Sequence, residues 1–180
     1  MYEAVIFLVD GFEEVEALAP LDILRRGDAK VASVSLMGRL EVTGSHDITV
    51  KADMLFEDLK NTENAMLILP GGPGVPRYKE HAQLLEMLRN HYANGKHIAA
   101  ICAAPTILGM LGMLADKSAV CHPVKEDELN AAQLLKIPVV TDGNITTSRA
   151  AGTSLDFGIE LVRILKGKEK ATEVAAAILL

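Results

Sequence analysis

Four short apolar runs, set among helical patterns, constrain this chain more than any other feature. They are "AVIFLV" (4–9), "KVASVSL" (30–36), "AMLILP" (65–70) and "HIAAIC" (97–102). Runs of this length and branching read as strands buried on both faces. Helical patterns predict helices over 13–26, 81–94, 103–114 and 125–135, with two more over 153–166 and 169–180. Pro20 lies inside the first of these and implies a kink or a lost hydrogen bond there. Two stretches depart from the alternation. "LEVTGSHDITVKA" (40–52) reads as an antiparallel excursion around Gly44-Ser45, and "VVTDGNITTS" (139–148) as a hairpin turning at Asp142-Gly143-Asn144. "SAVC" (118–121) is a short strand. Alternating strand and helix units without a linker, repeat or low-complexity tract predict one α/β domain over residues 1–180. Its sheet is mostly parallel, with helices on both faces.

Composition narrows the function classes. At 180 residues and 49% hydrophobic, the chain can bury a sizeable core and is not expected to be disordered. A net charge of −6 with no basic stripe argues against a nucleic-acid surface. Residues 98–115 carry no charge, which approaches the length of a membrane span. Pro105, Gly109 and Gly112 interrupt that stretch, so a buried strand followed by a buried helix explains it better. The two cysteines, Cys102 and Cys121, form no CxxC pair, so neither a disulfide scaffold nor a zinc ribbon is indicated and a reducing cytoplasm fits. The N-terminal run carries Glu3 and Asp10 and reads as a strand, not a signal peptide.

In a parallel sheet covered on both sides, ligands bind beyond the carboxyl ends of the strands. That rule selects four places. Cys102 stands where a strand becomes a helix, with small neighbours around it and Pro105 at an early helical position. The helix dipole there would lower the thiol pKa, and the turn has the shape of a nucleophile elbow without its glycines. A small core residue and a nucleophile are both consistent with that setting. Glu13, Glu14 and Glu16 follow the first strand. Acids are ordinary at a helix start; a functional role needs one of them turned inward against Cys102, where it would be protonated. "LPGGPGVP" (69–76) lacks the spacing of a dinucleotide fingerprint, and is either a plain turn or a backbone that offers N–H groups to an anion. His122 is either a capping residue or an acid or base. A metal site built from Cys121, His122 and Cys102 lacks the usual spacing, and His46, His81, His91 and His97 show no clustering.

Together these residues resemble the ThiJ/PfpI superfamily, and within it the parkinsonism-associated deglycase branch that includes the YajL-like bacterial proteins. The matching pieces are "DGFEEVEALAPLDILRR" (10–26), "LILPGG" (67–72), "AAICAAPTIL" (99–108), "CHPVK" (121–125) and "TTSRAAGTSLDF" (146–157), in family order across nearly the whole chain. The resemblance implies a flavodoxin-like three-layer sandwich and a homodimer. It implies a nucleophilic, oxidisable Cys102, hydrogen-bonded by Glu16, with His122 nearby. The anion pocket would be formed by the Gly71-Gly72 turn and Ala103, through the N–H groups of Gly72 and Ala103. The first helix would lie at the dimer interface, bringing Asp22 and Arg26 toward the partner's site. Two positions depart from the pattern. Ala103 stands where the protease-like branch has a histidine, which argues against an intracellular protease. His46 stands where close relatives tend to carry an anion-binding arginine, so anion binding is expected to be weaker or more pH-dependent.

The function implied is chemistry without cofactor or metal. Its substrates would be methylglyoxal-type dicarbonyls, or early glycation adducts of proteins and nucleotides, and its products 2-hydroxy acids. The alternative is a redox-sensing chaperone or regulator that uses the same cysteine. No membrane partner and no direct nucleic-acid surface are expected.

Overall fold

The computed structural model describes all 180 residues. Strand β1 (Ala4–Leu8) leads to helix α1 (Glu14–Arg26) and strand β2 (Val31–Ser35). A hairpin of β3 (Glu41–Thr43) and β4 (Thr49–Lys51) follows, then β5 (Met54–Leu55), β6 (Met66–Leu69), α2 (Pro76–Glu80) and α3 (Ala82–Ala93). The second half runs through β7 (Ile98–Ile101), α4 (Pro105–Met110), β8 (Ser118–Ala119), β9 (Gln133–Leu134), β10 (Val139–Asp142) and β11 (Ile145–Ser148), and ends in α5 (Ser154–Lys166) and α6 (Lys168–Ala177).

Seven strands form the central sheet in the order β10-β11-β7-β6-β1-β2-β5. All neighbours are parallel except β10 and β11, the predicted hairpin. β1 shows why its sequence reads as an unbroken apolar run. Ala4, Ile6 and Leu8 join one core cluster while Val5 and Phe7 join the other, so successive side chains are buried on opposite faces. On one face α1, α5 and α6 supply Ile23, Leu24, Phe157, Leu161 and Val174. On the other α3 and α4 supply Leu84, Leu88, Ile107 and Leu108. The result is the three-layer sandwich. The β3–β4 hairpin forms as expected, apart from the main sheet. No helix is long and apolar enough to cross a membrane.

One predicted helix does not form. Residues 125–135 begin within a 3-10 turn at Pro123–Glu128 and later form β9, which pairs in parallel with β8. Only Leu129 buries its apolar side chain, so no helical stripe is covered. Asn130 at φ 51° turns the chain left-handed, which ends any helix. The helix expected over 103–114 is shorter, stopping at Met110 before Gly112 at φ 75°. Helix α1 runs unbroken through Pro20. The missing N–H there removes the donor that the Glu16 carbonyl would otherwise have one turn later.

Candidate functional site

β7 ends at Ile101, and the next residue, Cys102, has φ +65°. A left-handed backbone at a residue with a Cβ is costly and persists only where its surroundings fix it. Here they do. The Cys102 N–H donates to the Ser148 carbonyl at 3.0 Å, and its own carbonyl accepts from the His122 N–H at 2.8 Å. The strand-to-helix elbow is therefore pinned by Ser148 at the end of β11 and by His122 in the segment after β8.

The turn after β6 closes over the thiol. A Cβ on Gly71 would lie 2.7 Å from the Cys102 Cβ and 2.6 Å from a Glu16 carboxylate oxygen, so only glycine permits this approach. Gly72, at φ 101°, turns the chain so that its N–H, like that of Ala103, reaches the Cys102 sulfur.

Glu16, in the first turn of α1, is 1% exposed. Its carboxyl receives the Gly71 N–H at 3.0 Å and the Ala151 N–H, and it meets the Cys102 thiol. Burial lifts its pKa to about 7. The contact with Cys102 and the two N–H bonds oppose the rise, and the charge of Glu13 adds to it. Burial, followed by the charge and hydrogen bond of Glu16, pushes the Cys102 thiol up to about 12 against the pull of the Ala103 and Gly72 N–H groups. The dipole argument for a lowered thiol pKa is thus overturned: α4 is six residues long, and burial beside an ionised carboxylate outweighs its terminus. Once Glu16 has titrated, the pair holds one proton between two sites. The thiolate then exists when that proton is on the carboxyl.

His122 is half-buried, and it touches the site through its backbone. Its ring Nδ1 accepts the Val124 N–H at 3.3 Å, and the ring makes no hydrogen bond to Cys102 or Glu16. Asp22 and Arg26 pair with each other at 2.6 Å on the exposed face of α1, well beyond Glu16 along the helix. Within one chain they do not join the thiol pocket. Cys121 is buried, its thiol directed to the His122 carbonyl at 3.4 Å, and burial pushes it up to about 11.

Two features have no signal in the sequence pattern. Tyr78, on α2, is fully buried, and its single hydroxyl proton is shared between the Phe7 carbonyl (3.0 Å) and the Pro70 carbonyl (3.2 Å). His46 does cluster, contrary to expectation: its Nδ1 lies 3.0 Å from Glu14 Oε2 and 3.6 Å from Glu13 Oε2, with Ser45 Oγ at 3.1 Å. The three ligand atoms lie within 4.8 Å of one another, which is close enough to hold a cation, but hydrogen bonds among them already account for the arrangement. A cleft of about 650 Å³ between α3 and residues 62–64 is lined by polar groups such as Asn64 and Asn90 and shares no residue with the thiol pocket.

The DJ-1/PfpI family profile matches residues 2–164. The Arabidopsis thaliana protein DJ-1 homolog B is 37% identical over 181 residues, covering 99% of this chain; the chain spans 41% of that relative's length. A Pyrococcus abyssi protein named a deglycase is 33% identical over 163 residues, which is 89% of this chain and 98% of that protein. The solved structure of Toxoplasma gondii DJ-1, described as oxidized, superposes with a TM-score of 0.92 at 34% identity, covering 99% of this chain and 98% of that one.

Proposed function

The chain belongs to the DJ-1/PfpI family, and on that premise we propose that it is a cysteine-dependent enzyme working without a cofactor on methylglyoxal-type dicarbonyls or on early glycation adducts of proteins and nucleotides. The observation that carries this reading is the Cys102 thiol held against the buried Glu16 carboxyl, with two backbone N–H groups directed at the sulfur. The deglycase name of the archaeal relative supports the substrate class.

In this mechanism Glu16 takes the thiol proton and the thiolate attacks the aldehyde carbon. The C–S bond forms as the carbonyl π bond breaks, and the oxyanion is met by the Gly72 and Ala103 N–H groups before it accepts the proton from Glu16. Glu16, again a carboxylate, removes the hydrogen from that carbon and delivers it to the adjacent one, while the hydroxyl proton passes to the neighbouring oxygen. The attacked carbon thus becomes a carbonyl as the adjacent carbonyl becomes a hydroxyl. The resulting thioester is hydrolysed by water, releasing the 2-hydroxy acid and the free thiol. No electrons leave the pair of carbons, since one is oxidised as the other is reduced. His122 assists from the rim. With Nδ1 accepting from Val124, a neutral ring carries its proton on Nε2, where it can donate.

The decisive test is methylglyoxal turnover without glutathione, read as lactate formed. Cys102→Ser should abolish it and Cys121→Ser should retain most of it. Equal losses in the two variants would overturn the assignment. A second reading, a redox sensor or chaperone, draws on the oxidized state named for the Toxoplasma structure. A trace rate of turnover combined with selective peroxide oxidation of Cys102 would favour it. The proposal extends to a cytoplasmic homodimer with α1 at its interface, and with Asp22 and Arg26 approaching the partner's thiol.

A further inference from the structure

The hydrogen-bond ladder between β6 and β1 contains a gap that leads to the thiol pocket. In that ladder the Met66 N–H donates to the Glu3 carbonyl at 2.9 Å, and parallel pairing repeats every second residue. Two repeats further, the N–H that would reach the Phe7 carbonyl belongs to Pro70, one residue past the Leu69 that lies opposite Phe7, and proline has no N–H to give. A buried carbonyl left without a donor is costly. The Tyr78 hydroxyl fills that place at 3.0 Å from the Phe7 carbonyl, and it is also 3.2 Å from the carbonyl of Pro70 itself.

That second contact matters for chemistry. The Pro70 carbonyl and the Gly71 N–H belong to one peptide unit, and the Gly71 N–H is the group that donates to Glu16 at 3.0 Å. A donor on the carbonyl of a peptide unit polarises its N–H, and planarity fixes where that N–H points. We propose that Tyr78 is a positioning residue for the Glu16–Cys102 pair, acting through the Pro70–Gly71 peptide unit. Nothing in the functional reading assigns Tyr78 a part, and the proposal rests on that reading only in taking Glu16 and Cys102 as the reacting pair. The titratable groups facing Glu16 are Cys102 from the elbow after β7, Tyr78 from α2 and, through its charge, Glu13 from the start of α1. The Gly71 and Ala151 N–H groups complete its surroundings.

Tyr78→Phe keeps the ring and removes only the hydroxyl. The readout is the titration of the Glu16 carboxyl followed by carbon-13 NMR in the resting protein, with the Glu14 carboxyl as internal control. The Gly71 N–H should become a weaker donor to the carboxylate, so the Glu16 midpoint should rise by roughly half a pH unit, with Glu14 unchanged. Replacing all three tyrosines by 3-fluorotyrosine leaves a more acidic hydroxyl in place and should move the midpoint the opposite way. A Tyr78→Phe midpoint equal to wild type overturns the proposal, as does an equal displacement of Glu14, which would mark a purely structural role. If Tyr78→Phe does not fold, the fluorinated protein decides, and an unmoved midpoint there overturns it. Because no substrate is present, failure of the methylglyoxal assay leaves this outcome readable on its own.

Discussion

A carboxyl group that water cannot reach makes folding depend on pH in a direction opposite to that of most acids. Glu16 has a folded pKa near 7, above its ordinary 4.5. Between those values the native protein holds a proton that the unfolded chain has released. Stability from this residue is therefore full below 4.5 and is lost as pH rises through 7. Glu16→Gln cannot ionise. It should melt above wild type on the alkaline side of 7 and equal to it on the acid side of 4.5, with a gain of a few degrees, since about 1 kcal/mol corresponds to about 2–4 °C at this chain length. Calorimetry at the two extremes checks this; a gain of the same size at both would deny that the carboxyl is ionised at a cost. At this scale the sequence is legible in part. An inward-turned glutamate was one of two readings of "GFEEVE", and burial of Glu16 separates it from its exposed neighbour Val15. Tyr78 was not legible, because its partners are main-chain carbonyls 71 and 8 residues away in sequence, and no side-chain pattern encodes them.

Between elements, the start of α1 and the β3–β4 hairpin are joined by one buried carboxylate. Burial opposes the charge on Glu14, but bonds from the His46 side chain and N–H, with help from Ser45, hold its pKa at about 2. A Cβ on Gly44 would collide with that same carboxyl. The folded value lies below the ordinary 4.5, so this stabilisation is present above 4.5 and is lost as pH falls through 2. Glu14→Gln should lower the melting temperature at neutral pH and speed amide exchange at His46, whose N–H donates to Glu14 at 2.7 Å. Its deficit should shrink as the solution is acidified. Unchanged exchange at His46 would mean that the hairpin is held by other bonds. The strands were legible because burial on both faces leaves no choice of face to misread. The segment 125–135 was not, because spacing alone does not reveal that only Leu129 is covered or that Asn130 turns left-handed.

Across the whole molecule, the pocket draws one part from the end of each of four neighbouring strands. β1 leads to Glu16, β6 to Gly71 and Gly72, β7 to Cys102, and β11 to Ser148 and Ala151. The place was predictable, since α/β sheets present their sites there, whereas the balance of charge inside it was not. A homodimer of the 19.3 kDa chain is expected from light scattering at micromolar concentration. A monomer mass there would remove Asp22 and Arg26 from any role at the thiol. The left-handed turn at Cys102 also bears on how such a protein can be bred. Glycine adopts that backbone without the penalty of about 1–2 kcal/mol that a side chain incurs. A laboratory lineage screened only for heat resistance would therefore tend to collect glycine at 102 and shed its chemistry while improving its fold, so any search for a hardier variant has to screen for the thiol as well as for survival.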